Sequence, residues 1–293
     1  MTIAACYVSP EGVVLGADST ASFMLAPGGF HYFNYNQKLF ELGDPDAATL
    51  GIVTWGLSGL GETSYRTLFA HLSDDIRKKP PKDIEEVASR WVDKFWAEYS
   101  PAVKPCQALN GKKPFDPTAN PPDQEMRTKD EEAQFEQLKR VLVIGFCIGG
   151  YVLENRKPEA FVTLFDPMLG KPVPTKLTMG WAFWGAPNMI QRLMFGCDDM
   201  LKSALLQSGN WNGTPSDLDA LLAQHKLATP YLPIRDAIDF THACITSTIK
   251  AMKFSSLAQI CGGPIEIAVI TTDRHFRWVR HKEWDAAITE GTP

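Results

Sequence analysis

Thr2-Ile3-Ala4-Ala5-Cys6-Tyr7-Val8-Ser9-Pro10-Glu11-Gly12-Val13-Val14-Leu15-Gly16-Ala17-Asp18-Ser19 is the stretch that decides how this chain folds. Residues 2 to 8 are apolar and β-prone, Ser9 to Gly12 carry turn chemistry, and Val13 to Ala17 are apolar again, so the stretch reads as a β-hairpin. A turn centred between Pro10 and Glu11 sets Thr2 opposite Ser19, with Asp18 beside it. One carboxylate therefore reaches the beginning of the chain. Thr2 would carry the free α-amine there once Met1 is removed, as is routine before a small residue.

Further strands are expected at Lys38 to Leu42 and Thr49 to Trp55, divided by the Gly43-Asp44-Pro45-Asp46 turn. After the glycine-rich segment 56–61, Thr63 to Leu72 reads as a helix. A second helix opens at Pro80-Pro81, with Ile84, Val87, Ala88, Trp91, Val92 and Phe95 spaced as one buried stripe. Residues 101–137 are rich in proline and charge and read as a surface insertion. Strands return at Arg140 to Cys147, Ala160 to Phe165 and Thr178 to Trp184. A helix from Asn188 to about Leu206 and a second polar insertion at 208–229 follow. Pro233 opens a long helix, Ile265 to Thr271 forms a strand, and 273–293 is a C-terminal extension.

Strands, two helices, strands, two helices and a strand do not follow the βαβ alternation of a parallel sheet. They suit an α+β, four-layer αββα sandwich: two stacked antiparallel sheets, each flanked by helices. A single domain over 1–293 is expected, without internal repeats.

Composition narrows the function classes. The formal charge is −5 and the basic residues are scattered, which argues against nucleic-acid binding. The six cysteines are far apart, form no CxxC pair and read as reduced, buried thiols. The early acidic residues Glu11 and Asp18 do not suit a secretory signal, and the apolar run Val141 to Leu153 is too short to span a bilayer. A cytoplasmic protein with no membrane partner and no cofactor is expected.

A threonine hydroxyl attacks a carbonyl only when something accepts its proton. An N-terminal threonine carries its own base, an α-amine of pKa roughly 7.7–8.0. Beyond this chemistry, the hairpin residues, Gln37-Lys38-Leu39-Phe40, Val53-Thr54-Trp55-Gly56-Leu57-Ser58-Gly59, Leu142-Val143-Ile144-Gly145, Phe165-Asp166-Pro167 and Gly262-Gly263-Pro264-Ile265-Glu266-Ile267 form an ordered series. In order and spacing the series resembles the β-type subunits of the proteasome core particle, which are N-terminal nucleophile hydrolases. The resemblance covers most of the chain outside the two insertions.

That resemblance implies a threonine-type peptide hydrolase: Thr2 the nucleophile, Asp18 the buried carboxylate that orients the catalytic lysine, and Lys38 that lysine. It implies the Gly56 backbone N–H as oxyanion donor and Ser58 at the mouth of the first specificity pocket. Thr20 stands where the family often has a substrate-side arginine. Peptide or unfolded-protein substrates, self-association in rings or an open stack, and an unidentified ATPase partner are implied in the same way. The family's supporting residues are missing, with Ala186, Ala258 and Cys261 in their places, which suits a divergent specificity. For Asp18 and Lys38 an ordinary structural ion pair stays open. So do a small-molecule amidase on the same fold and a non-catalytic assembly subunit of the α type. His275 and His281 lack a third metal ligand, Trp181 and Trp184 suit core or subunit contacts, and Gly59-Leu60-Gly61 is no phosphate loop.

Overall fold

A computed structural model of the chain describes residues 2–25, 29–44, 47–118, 125–227, 231–256 and 259–282. The chain runs β1 (Ile3–Ser9), β2 (Gly12–Ala17), β3 (Ala21–Leu25), β4 (Gly29–Phe33), β5 (Leu39–Leu42), β6 (Leu50–Gly56), α1 (Tyr65–Lys78), α2 (Ile84–Asn110) and α3 (Lys129–Val141). It continues with β7 (Ile144–Gly150), β8 (Glu159–Phe165), β9 (Thr175–Lys176), β10 (Gly180–Gly185), α4 (Asn188–Phe195), α5 (Asp199–Gln207), α6 (Pro215–Gln224), α7 (Ile234–Lys253), β11 (Glu266–Thr271) and β12 (Arg277–Arg280). One five-stranded sheet has the order β10-β1-β2-β11-β12, another β5-β6-β7-β8-β9, and the β3-β4 hairpin stands apart. Every pairing within the two large sheets is antiparallel.

Side-chain alternation along the strands builds the four layers. On β1, Ala4, Cys6 and Val8 enter the core between the sheets, where they meet Val53, Trp55 and Cys147 from the second sheet. Ile3, Ala5 and Tyr7 point the other way, into the core under α4 and α7. On β7, Ile144, Phe146 and Ile148 face α1, α2 and α3, among them Trp91 and Phe95. The expected αββα sandwich is the observed one.

Several boundaries differ from expectation. The segment 101–137 is not simply a surface insertion, because α2 continues through Pro101 and Pro105 to Asn110 and α3 starts at Lys129. A proline inside a helix costs about 3 kcal/mol. Tyr99, Val103, Cys106 and Leu109 continue the buried stripe through it, and their burial offsets that cost. Arg127, itself buried, donates to the carbonyls of Leu109 (2.8 Å) and Lys112 (3.0 Å), bracing the turn in which α2 ends. Its other side pairs with Glu132 at 2.7 Å. Residues 119–124 lie outside the described set.

Elsewhere α2 opens at an Asp83 N-cap rather than at Pro80, because the Asp83 side chain accepts from Glu86 N. Arg140 and Val141 close α3 instead of opening a strand. The helix expected over 188–206 divides at Gly196, whose φ is +76°, into α4 and α5. The segment 208–229 contains α6, started by a Thr214–Asp217 capping box, although 228–229 are outside the described residues. The C-terminal segment adds β12 to the first sheet, and 283–293 are not described.

Candidate functional site

The hairpin pairs Ser9 with Gly12 and Ala4 with Ala17, the register that the turn residues dictate. One step further, Asp18 N donates to Ile3 O at 3.1 Å and Ile3 N donates to Asp18 Oδ1, also at 3.1 Å. The Asp18 carboxylate is fully buried and surrounded by donors. Oδ1 also accepts from Lys38 Nζ at 2.6 Å, while Oδ2 accepts from Gly262 N at 2.9 Å and Thr20 N at 3.3 Å. A single carboxylate thus ties the start of β1, the end of β2, the residue before β5 and the loop before β11.

Lys38 enters from the second sheet, and its backbone carbonyl accepts from Thr54 N at 2.9 Å. Its ammonium, also buried, donates to Thr20 O at 2.5 Å besides Asp18. Burial lowers its proton affinity below the usual lysine value of 10.5, with the Asp18 carboxylate pulling the other way. Thr20, expected on the substrate side, is buried; its hydroxyl donates to Asn34 Oδ1 at 3.0 Å and its carbonyl braces Lys38.

Thr2 is buried just ahead of Ile3. Gly185 sits across from Ile3 with φ +85°, and a Cβ there would lie 1.8 Å from the Thr2 carbonyl oxygen, so only glycine lets the two backbones approach. Gly56, expected as oxyanion donor, ends β6 with φ +90°. Its neighbour Trp55 stacks on Trp184, which lies opposite Ala4, with ring centroids 4.5 Å apart. That stack brings the end of β6 to the same edge as the start of β1. Ser58 lies on the wall of an open cleft of about 550 Å³, shared with Gln37, Leu60, Tyr65 and Lys282.

Among the residues that stand in for a supporting shell, Ala186 and Cys261 are buried and Ala258 lies outside the described residues. Cys261 points its Sγ at Met252 Sδ, 3.3 Å away. Burial, with Asp18 close by, pushes its thiol up to about 12, so it is a packing thiol at neutral pH. All six cysteines are free. Among the described residues no group of His, Cys, Asp and Glu is arranged to hold a metal ion, and no helix is long and apolar enough to cross a membrane.

The sequence reading gave Glu266 and Lys282 no role and weighed His281 only as a metal ligand. Glu266 lies opposite Ala17 on β11 and is fully buried. It pairs with His281 Nδ1 at 2.8 Å and Lys282 Nζ at 3.3 Å, and Lys282 also donates to Ser19 Oγ at 3.3 Å. A lone carboxylate in the apolar run Ile265 to Ile270 was the available signal, because a charge inside such a strand requires a partner.

No family model matches the sequence, and no curated protein does. Several solved structures are similar in fold. One is the Gly-1 mutant of Anbu from Hyphomicrobium sp. strain MC1, at 10% identity over 99% of this chain and 96% of that one, with a TM-score of 0.50. Anbu from the same strain matches at 10% identity, 98% and 95% coverage and a TM-score of 0.50. Anbu (ancestral beta-subunit) from Yersinia bercovieri matches at 9% identity, 99% and 97% coverage and a TM-score of 0.50.

At such identities the likeness shows the fold alone, the four-layer αββα sandwich described above. The expected membership among proteasome core-particle β-type subunits is not upheld. The comparisons with family models and curated proteins give it no support, and the three similar structures named above are Anbu proteins at about 10% identity.

Proposed function

We infer that the chain is an amide hydrolase of the N-terminal threonine type, armed when the bond before Thr2 is cut. The Thr2 hydroxyl attacks an amide carbon while the Thr2 α-amine takes its proton. The carbonyl becomes a tetrahedral oxyanion held by the Gly56 N–H. The amine then passes its proton to the leaving nitrogen, the C–N bond breaks, and an ester on Thr2 Oγ remains. Water, deprotonated by the same amine, attacks the ester, and the acid departs as Thr2 regains its proton. Lys38 has three N–H bonds; Asp18 and Thr20 take two, and the third is available to the developing alkoxide.

One observation carries this reading: a single oxygen of Asp18 receives both Ile3 N and Lys38 Nζ, which holds an ammonium beside the residue that would present hydroxyl and amine together. Intact-mass measurement of native protein, paired with peptide cleavage by wild type and Thr2→Ala, tests it. The expected result is a chain beginning at Thr2 whose cleavage disappears in Thr2→Ala; undiminished cleavage by that variant overturns the mechanism.

The cleft of about 550 Å³ lies within the range of small-molecule sites. It favours, as a second reading, a short acyl amide over an extended peptide, and relative kcat/KM values for the two substrate kinds separate them. Self-association in rings or an open stack belongs to the same proposal, since one similar structure is described as an ancestral beta-subunit. Its check is the mass of the native particle in solution.

A further inference from the structure

The wall of the cleft beside Ser58 takes basic side chains from two separate parts of the chain. The first is the N-terminal turn of α1, where Thr63, Ser64, Tyr65 and Arg66 line the opening. The Ser64 side chain accepts from Thr67 N, and no acidic residue occupies the first turn. The Tyr65 N–H at this helix start precedes the first bond within the helix and gives that wall a positive character. Arg66 itself is anchored there by Gln37 and by the Phe40 ring, 5.6 Å from its guanidinium carbon.

The second part is the stretch after β12. Glu266, buried at the head of β11, binds His281 and Lys282 together, and His281 stacks on Trp278 with centroids 4.0 Å apart. One inward-facing carboxylate thereby fixes two groups that both border the cleft. Lys282 sits at the inner end, donating to Ser19 Oγ, beside the residue whose backbone N–H and C=O are tied to Gly262 and Asn36. Among the described residues Glu62 is the one carboxylate on the wall, and it is exposed. Tyr35, Phe40, Leu60 and Tyr65 supply apolar surface for a short side-chain stem.

We propose that this cleft is a subsite for an anionic side chain on the acyl side of the cleaved amide, with Lys282, held by Glu266, as the specificity-determining cation. The inference rests on the amide-hydrolase reading for its placement on the acyl side. Cleft adjacency supports that placement, because Gln37 precedes Lys38 and Ser58 follows Gly56 by two residues. Glutamine is the informative competitor of glutamate: it matches the shape and lacks the charge that the wall is built to receive.

The test uses paired amide substrates that differ only in Glu or Gln at the residue whose carbonyl is attacked. Processed wild-type protein should favour Glu by roughly tenfold or more in kcat/KM, the scale of one charge-assisted contact. Lys282→Met should bring the ratio close to one, and Lys282→Arg should keep most of it. Because Lys282→Met deprives a buried carboxylate of a partner, Arg66→Met at the exposed rim serves as a second variant and should lower the ratio in part. The same two ligands are titrated into Thr2→Ala by calorimetry, which needs no turnover. Preferential binding of the Glu ligand without cleavage by wild type removes the hydrolase reading and keeps the subsite. Equal cleavage and equal binding of both ligands, or detectable binding of neither, overturns the subsite.

Discussion

The two outer helical layers are made of different material. Over the β5–β9 sheet, Trp91, Phe95, Tyr99, Phe69 and Tyr65 meet Phe146 and Phe165 in a continuous aromatic cluster; Phe95 and Phe146 have centroids 4.8 Å apart, Trp91 and Phe95 5.3 Å. Over the β10-β1-β2-β11 side, the buried helical residues are smaller: Ile190, Met194, Ala237, Cys244 and Ile245. Thr241 and Thr248 on α7 turn their hydroxyls back to the carbonyls of Ala237 and Cys244. Helix α5 buries no residue and α6 only Leu218, while Met200 is 73% exposed and Leu227 80%. Large aromatic side chains bury 150–250 Å² each, so the first layer contributes far more stabilisation per helix. The candidate site spans the seam, with Asp18 ending a strand of the lighter half and Lys38 opening one of the heavier half.

This contrast can be broken most directly at Trp91. Trp91→Ala should cost about 3–5 kcal/mol, read from urea unfolding, and a loss under about 1 kcal/mol would mean that the aromatic layer is not the main support. At the seam, Asp18→Asn leaves the buried Lys38 ammonium without its counter-charge. About 3 kcal/mol should be lost by the same measurement, together with all amide hydrolysis. In the lighter layer Ile245→Ala should cost about 2 kcal/mol, at the low end for such a truncation, because Thr241 and the small residues around it can close in. On α5, Leu201→Ser should change stability by under about 0.5 kcal/mol, and amide exchange should be fastest in α5 and α6.

The smallest effect is a slope with pH. Lys38 binds its proton less tightly folded than unfolded, so the unfolded chain holds more protons between the depressed value and 10.5, and stability rises with pH in that window. The buried thiols Cys244 and Cys261, pushed up to about 12, act in the opposite direction above their unfolded value. The quantity to measure is therefore the difference between wild type and Lys38→Met at pH 7.5 and pH 9.5. Wild type should gain on the variant as pH rises; parallel behaviour would assign the depressed proton affinity elsewhere.

How much the residues disclose in advance depends on where the decisive interaction lies along the chain. The β1-β2 hairpin and its register follow from four turn residues and alternation, a local matter, and Asp18 beside the chain start follows with them. The long helix through Pro101 and Pro105 was hidden because local composition signals a loop there, whereas the buried spacing of Tyr99, Val103 and Cys106 belongs to a longer stripe. The Glu266 cluster was hidden for another reason: its partners lie in sequence beyond β12, and only tertiary folding brings His281 and Lys282 back to β11. Lys38 was singled out through a family resemblance that the comparisons do not uphold, while its location 2.6 Å from Asp18 rests on the fold itself. Its catalytic part is a proposal.

At the start of the chain the backbone N–H that Asp18 binds is that of Ile3. The anchor point is therefore indifferent to whatever is attached upstream, and a chain bearing a fused purification tag would reach the same register and the same ion pair. Under the proposed chemistry, maturation and folding are then separate events. A recombinant sample could be cooperative, monodisperse and crystallisable and still be inert, its weapon sheathed by a single peptide bond.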